Sequence, residues 1–130
     1  MIDLNKKEII ETLKKYNFDK DKYLVISGAA MVLLGIKEST SDIDIAVTDD
    51  YYEFLIENIS CTFDRVNEYG MTSYSIDNVI DFCTTYYDNN KCFIEDIPVQ
   101  EPQKILELKI SLNREKDKKD IKLIKEYMNE

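Results

Sequence analysis

Two apolar segments joined by a glycine turn and a short helix constrain this fold more than any other feature of the chain. Tyr23–Ser27 (YLVIS) is rich in strand-forming residues, and Gly28 marks a turn after it. The run Ala29–Leu34 predicts a short buried helix. Polar and apolar residues alternate at the start of Asp42–Val47 (DIDIAV), which predicts a second strand. The sequence therefore predicts a strand, a turn, a buried helix and a second strand.

The second of these strands carries two carboxylates. Because strand side chains alternate between faces, Asp42 and Asp44 are expected to project together, away from the core. Adjacent carboxylates repel each other unless a cation lies between them, and Mg²⁺ prefers such oxygen ligands. The Gly28 turn at a helix start could hold the phosphates that usually accompany this metal. The pattern predicts a nucleotide and metal site.

A third acid supports this interpretation. Asp81 interrupts the apolar run Val79–Cys83, where a charge is costly to bury without a partner. A metal shared with Asp42 and Asp44 would supply that partner. The alternative is that Asp81 lies on an edge strand and points into water.

The remaining pattern predicts a mixed α+β domain, with helices packed on a small mixed sheet and two helices at the C-terminal end. We expect one domain over residues 1–130. The predicted elements are a helix over Lys6–Tyr16, a helix from Thr48 to Asn58, a hairpin of Met71–Ile76 and Val79–Cys83 around Asp77-Asn78, short strands at Phe93-Ile94 and Pro98–Gln100, a helix from Pro102, and a helix over Lys116–Met128.

Composition excludes several chemistries. The chain has no histidine, which rules out a Ser-His-Asp triad and an HExxH zinc site. Its three cysteines form no CxxC pair, so neither a disulfide framework nor a zinc site is expected. The whole chain has a net charge of −9. Between residues 38 and 100 the only basic side chains are Arg65 and Lys91. This acidic region argues against a long nucleic-acid footprint.

The sequence also bears on location. Met1–Tyr16 is polar and charged and does not resemble a signal peptide, and no apolar run is long enough to cross a membrane. We expect a cytoplasmic protein with reduced cysteines that makes no contact with a membrane.

Taken together, these residues resemble a known family. The N-terminal motif is Ser27-Gly28, Leu34-Gly35, Thr40 and Asp42-Ile43-Asp44, and the C-terminal motif is Leu108-Lys109, Arg114, Lys116-Asp117 and Asp120. Both are similar to the nucleotidyltransferase superfamily, which has the polymerase-beta-like fold. The closest likeness is to its small prokaryotic branch, which includes AbiEii-type toxins, antibiotic nucleotidyltransferases and minimal nucleotidyltransferase antitoxins.

The resemblance implies an enzyme that uses Mg²⁺ or Mn²⁺ to transfer a nucleoside monophosphate from an NTP to a hydroxyl of a small molecule, a protein side chain or an RNA end. It implies a toxin–antitoxin or resistance context. Asp42, Asp44 and Asp81 match the metal-binding catalytic carboxylates, and Asp81 would also help to deprotonate the acceptor. Ser27 and Gly28 match the phosphate-binding turn.

Lys109 matches a basic residue that could reach the triphosphate, and the alternative is a solvated helix lysine. Two positions depart from the family pattern. Ala29 replaces a frequent second Gly or Ser unless Ser27 takes that role, and Glu38 replaces a frequent Arg unless Lys37 substitutes for it. Glu38, the small size and the lack of a separate acceptor-binding domain motivate a second hypothesis, a non-catalytic, antitoxin-like module of the same fold that binds a protein partner.

Overall fold

The computed structural model describes residues 3–129, in which seven strands form one mixed sheet with five α-helices. The helices are α1 (Lys6–Tyr16), α2 (Ser27–Leu33), α3 (Asp49–Asn58), α4 (Pro102–Leu112) and α5 (Lys118–Met128). The strands are β1 (Tyr23–Ile26), β2 (Ile43–Val47), β3 (Thr62–Val66), β4 (Thr72–Ile76), β5 (Ile80–Cys83), β6 (Lys91–Ile94) and β7 (Ile97–Gln100).

The sheet has the order β3-β4-β5-β2-β1-β7-β6. β2 runs antiparallel to β1 and parallel to β5, and β1 runs parallel to β7. The remaining neighbours are antiparallel hairpins. The central strands β5, β2 and β1 therefore come from separate parts of the chain and bring distant residues together.

Two of the hairpins turn through left-handed residue pairs. Asp77 and Asn78 have φ of 53° and 58°, and Glu95 and Asp96 have φ of 48° and 69°. Asn and Asp tolerate this conformation better than most residues, and it matches the twist of the flanking strands. The hairpin predicted around Asp77-Asn78 is confirmed.

One face of the sheet carries the main core. Alternate residues of the central strands, such as Val25, Ile45 and Phe82, are buried there against the helices. The opposite face holds a smaller apolar layer of Leu24, Ile26 and Ala46, against which Tyr86 and Tyr87 pack. We call this opposite side the open face, because the main helical core does not cover it.

The N-terminal helix shows how local sequence specifies an element. The Asn5 side chain accepts from the backbone N–H of Glu8, and the Glu8 side chain accepts from the backbone N–H of Asn5. This capping box satisfies two otherwise unpaired donors at the helix start. Ile9, Ile10 and Leu13 then bury the apolar face of α1, as their spacing predicts.

The structure confirms the mixed α+β class and the two C-terminal helices, but the sheet is larger than the small sheet expected. β3 was missed because all five of its residues are exposed at the sheet edge, so it has no apolar face. Boundaries also shift: Ser27 begins α2 rather than ending β1. A 3-10 turn at Glu115–Asp117 precedes α5. Among residues 3–129, no helix combines the length and apolar character that crossing a bilayer requires.

Candidate functional site

Three aspartates come together at the centre of the open face. Asp44 on β2 lies directly opposite Asp81 on the parallel strand β5, and Asp42 precedes Asp44 by two residues. Carboxylate oxygens of Asp42, Asp44 and Asp81 all lie within 4.8 Å of one another. The structure therefore brings together all three acids that the sequence predicted, and we call them the aspartate cluster.

The cluster is electrostatically unfavourable by itself. Burial raises the pKa of Asp44 from 3.8 to about 7, and repulsion by Asp42 and Asp81 adds to this. Burial also raises the pKa of Asp81, with further repulsion from Asp64 on β3. No ion pair within residues 3–129 includes any member of the cluster. A bound cation would remove the repulsion that raises these pKa values.

The aspartate cluster borders a cleft of about 240 Å³ on the open face. Asp44 and Asp81 line this cleft, and so do residues at the end of α4 and in the segment after it. Three basic residues also line it: Arg65, Arg114 and Lys116. The cleft thus places carboxylates and basic side chains around one space, an arrangement suited to a metal-bound polyphosphate.

Lys109 does not line this cleft. It is 4% exposed, and its Nζ lies 3.2 Å from Asp117 Oδ1 and 3.4 Å from Asp120 Oδ2. The structure therefore does not support the alternative of a solvated helix lysine, because Lys109 is buried and paired with Asp117 and Asp120. A role for Lys109 in binding the triphosphate stays a prediction. Its charge is balanced inside the helical layer.

Lys109 belongs to a larger group of charges that we call the ion network. The guanidinium Nε of Arg114 donates to Asp117 Oδ2 at 2.6 Å, and Lys37 Nζ lies 3.3 Å from Asp120 Oδ1. Although burial opposes it, hydrogen bonding from Arg114 and the nearby Lys109 charge hold the pKa of Asp117 below its usual value. Because Arg114 also lines the cleft, it connects the ion network to the candidate site.

The predicted phosphate turn has a defined geometry. Ser27 lines the cleft and has a φ of 57°, and its backbone N–H donates to Gln100 Oε1 at 3.1 Å. A Cβ added at Gly28 would lie 2.9 Å from Thr40 Oγ1, closer than ordinary contacts allow. This close approach explains the glycine structurally, and a role for Ser27 and Gly28 in binding nucleotide stays a prediction.

Glu38 and Lys37 bear on the second hypothesis. Glu38 is exposed, while Lys37 is paired with Asp120 and does not line the cleft. Lys37 is therefore not positioned to replace the basic residue that the family often has at the position of Glu38.

Sequence reasoning missed several residues that line the cleft, including Arg65, Asn67 and Tyr86. One signal could have identified Arg65, which is an isolated basic residue in a long acidic region. Arg114 and Lys116 were recognised as parts of a motif, but their position in the cleft follows only from the turn after α4.

Comparison with known proteins identified no relative of this chain. No protein-family model matches the chain, and neither the curated proteins nor the solved structures contain a match to it.

Proposed function

We propose that this chain is a Mg²⁺-dependent nucleotidyltransferase that transfers a nucleoside monophosphate from an NTP to a hydroxyl acceptor. The observation that supports this most strongly is the aspartate cluster, in which carboxylate oxygens of three residues lie within 4.8 Å of one another and two of the three residues, Asp44 and Asp81, line a cleft. The resemblance of the Ser27–Val47 segment to nucleotidyltransferases supports the same reaction. We also propose that the mixed sheet and its helices have the polymerase-beta-like fold.

The residues present fit a hard divalent cation. Mg²⁺ and Mn²⁺ favour carboxylate oxygens, and one or two carboxylates plus substrate phosphates are the usual ligands of Mg²⁺ in such sites. Burial and the neighbouring Asp42 and Asp81 raise the pKa of Asp44 to about 7, and a bound cation would oppose that effect. Asp42, Asp44 and Asp81 would hold the metal.

In the proposed reaction, Asp81 and the metal held by the aspartate cluster have separate roles. The acceptor oxygen would form a bond to the α-phosphorus as the bond to the β-phosphate oxygen breaks, releasing pyrophosphate. Asp81 would accept the hydroxyl proton. Bound metal would neutralise phosphate charge and lower the pKa of the attacking hydroxyl. Such catalysis depends mainly on positioning and charge neutralisation, which suits a site without histidine.

The basic residues that line the cleft would hold the rest of the triphosphate. We assign this part to Arg65, Arg114 and Lys116 in place of Lys109, whose ammonium group is already paired with Asp117 and Asp120. Arg114 is the strongest candidate because a guanidinium can donate two parallel hydrogen bonds to phosphate oxygens. The Asp117 carboxylate, which accepts from Arg114 Nε, would keep the Arg114 side chain in place beside the cleft.

The Asp44→Asn variant tests this proposal. We expect it to weaken Mg²⁺–NTP binding at least tenfold in calorimetry and to abolish label transfer from α-labelled NTPs in cell lysate, because it removes a metal ligand. Asp49→Asn is the matched control, since Asp49 is an exposed acid on α3. Unchanged nucleotide affinity in Asp44→Asn would disprove the metal assignment.

One observation favours the non-catalytic module as a second candidate. Lys37 is engaged by Asp120, so the negative charge of Glu38 is not offset by its neighbour. If the wild-type chain binds none of the four NTPs with Mg²⁺ and instead co-purifies with a protein, the module becomes the better description.

A further inference from the structure

The strand β3 forms one free edge of the sheet. It pairs with β4 on one side, and the strand order places no neighbour on its other side. All five of its residues are exposed. Among residues 3–129, the backbone of β3 makes no backbone hydrogen bond other than those with β4. Such a row of unpaired donors and acceptors is a template for a further strand.

The opposite edge of the sheet, β6, is protected by comparison. Three of its four residues are partly buried. Lys91 Nζ donates to the carbonyl of Lys20 at 2.9 Å and so ties β6 to the segment before β1. Lysine and proline are common means of blocking the addition of a strand to an edge, and β3 contains neither. The two edges therefore differ in how open they are to pairing.

The edge strand β3 presents two large apolar side chains on one face. Phe63 is 63% exposed and Val66 is 56% exposed. They lie opposite Tyr74 and Thr72, which are two residues apart on β4 and therefore point to the same side of the sheet. Phe63 and Val66 can share this side, although they are three residues apart, because β3 has a bulge between Phe63 and Arg65. Burial of this apolar pair would be favourable.

The bulge between the two apolar residues carries one acid and one base. Asp64 Oδ2 lies 3.7 Å from Arg65 Nε. Because a bulge places two residues where a regular strand has one, β3 presents an apolar residue, a pair of opposite charges and a second apolar residue. The same order results when the strand is reversed, with acid and base exchanged. The strand is therefore complementary to an antiparallel copy of itself.

This complementarity specifies one register. In an antiparallel pair with a two-fold axis at the bulge, Phe63 lies opposite the partner's Val66. Asp64 then lies opposite the partner's Arg65. A shift of one residue in either direction would place Asp64 opposite the partner's Asp64, or Arg65 opposite the partner's Arg65, and like charges in opposite positions are destabilising. The symmetric register also sets bulge against bulge, so neither strand presents a kink to a regular partner.

We propose that two copies of this chain associate through β3, which pairs with the partner's β3 antiparallel about a two-fold axis at the Asp64–Arg65 bulge. The two seven-stranded sheets then become continuous. The occupant of this edge is a second copy because both the charges and the apolar residues of β3 complement β3 itself. The inference does not rest on the proposed function, since it uses no member of the aspartate cluster. Arg65 also lines the cleft, so the interface reaches the edge of the candidate site.

Sedimentation velocity over about 1–200 µM protein tests the association. We expect wild type to shift from monomer to dimer across this range, because a single pair of strands buries less than a standard interface does. Val66→Lys would place an unpaired charge opposite the partner's Phe63 and should weaken dimerisation about tenfold or more. Phe93→Lys is the matched control, since Phe93 is 56% exposed on the opposite edge β6, and it should dimerise as wild type does.

A charge exchange tests the register itself. Asp64→Arg and Arg65→Asp should each weaken self-association about tenfold or more, because each places like charges opposite one another. An equal mixture of the two variants should recover the wild-type dimer fraction, since every charge then faces its opposite across the interface. The inference is overturned if wild type stays monomeric at the highest concentration, if mixing restores no dimer, or if Phe93→Lys loses as much dimer as Val66→Lys.

Discussion

The aspartate cluster and the ion network are both groups of partly or fully buried charges, but only one of them is compensated. In the ion network three basic groups, Lys37, Lys109 and Arg114, surround the carboxylates of Asp117 and Asp120. In the aspartate cluster three carboxylates lie together, and none of them forms an ion pair with any residue between 3 and 129. The contrast indicates that the charges of the ion network compensate one another, whereas the aspartate cluster is maintained at a cost to stability.

The pKa values express the same difference. The pKa of Asp117 lies below its usual value because Arg114 and Lys109 favour the charged form over the opposing effect of burial. The pKa of Asp44 rises to about 7 because burial and two neighbouring carboxylates disfavour that form. Raised carboxylate pKa values in a cleft are typical of functional sites.

The largest expected effect comes from breaking the ion network. Asp117→Asn should lower the free energy of unfolding by about 3–5 kcal/mol, because it leaves the buried Lys109 without its nearest counter-charge. Urea denaturation measures this change. The double variant Lys109→Met with Asp117→Leu should recover most of the loss, and a double variant as unstable as Asp117→Asn would contradict the pairing.

The aspartate cluster should respond in the opposite direction. In Mg²⁺-free buffer at pH 8, Asp44→Asn should raise the free energy of unfolding by about 1–3 kcal/mol, because it removes one of three repelling carboxylates. Urea denaturation beside Asp49→Asn, which should change little, checks this expectation. Destabilisation by Asp44→Asn would show that the cluster is compensated in a way that the structure does not display.

This gain should depend on pH with a defined sign. Because the folded pKa of Asp44 is about 7 and its ordinary value is 3.8, the folded state retains the proton longer than the unfolded state. Asp44 therefore lowers stability progressively as pH rises from about 4 to about 7. The difference in unfolding free energy between Asp44→Asn and wild type should grow over this window, and a constant difference would refute the raised pKa.

How much of this contrast was predictable differs between the two regions. Asp42 and Asp44 share a face by simple strand alternation, and Asp81 was identified as a charge within an apolar run. Their convergence requires β5 to pair with β2, and that pairing joins strands separated by a helix and a hairpin. Strand order is a tertiary property that local periodicity does not encode.

The role of Lys109 could not be read from its helix alone. Its position on α4 allowed a solvated or a ligand-binding side chain, and the partners that bury it lie on the following turn and on α5. The contact between Gln100 and Ser27 was unpredictable for a similar reason, because the strand β7 that carries Gln100 is distant in sequence from Ser27.

A smaller effect is expected at the Gly28 turn. Gly28→Ala should lower the free energy of unfolding by about 1 kcal/mol, because the added methyl group would lie 2.9 Å from Thr40 Oγ1. In a Thr40→Ala background the same change should cost less, which a double-mutant cycle by urea denaturation would measure. Equal costs in both backgrounds would mean that Thr40 is not what requires glycine here.

The most direct test of the central claim uses the metal alone. Titration with Mg²⁺ and with Mn²⁺ at pH 7.5, followed by thermal unfolding, should raise the Tm of wild type and leave Asp44→Asn unchanged, while Asp49→Asn should behave as wild type. The same measurement would contradict the claim if wild type and Asp44→Asn rose equally, or if neither metal raised the Tm of the wild-type chain.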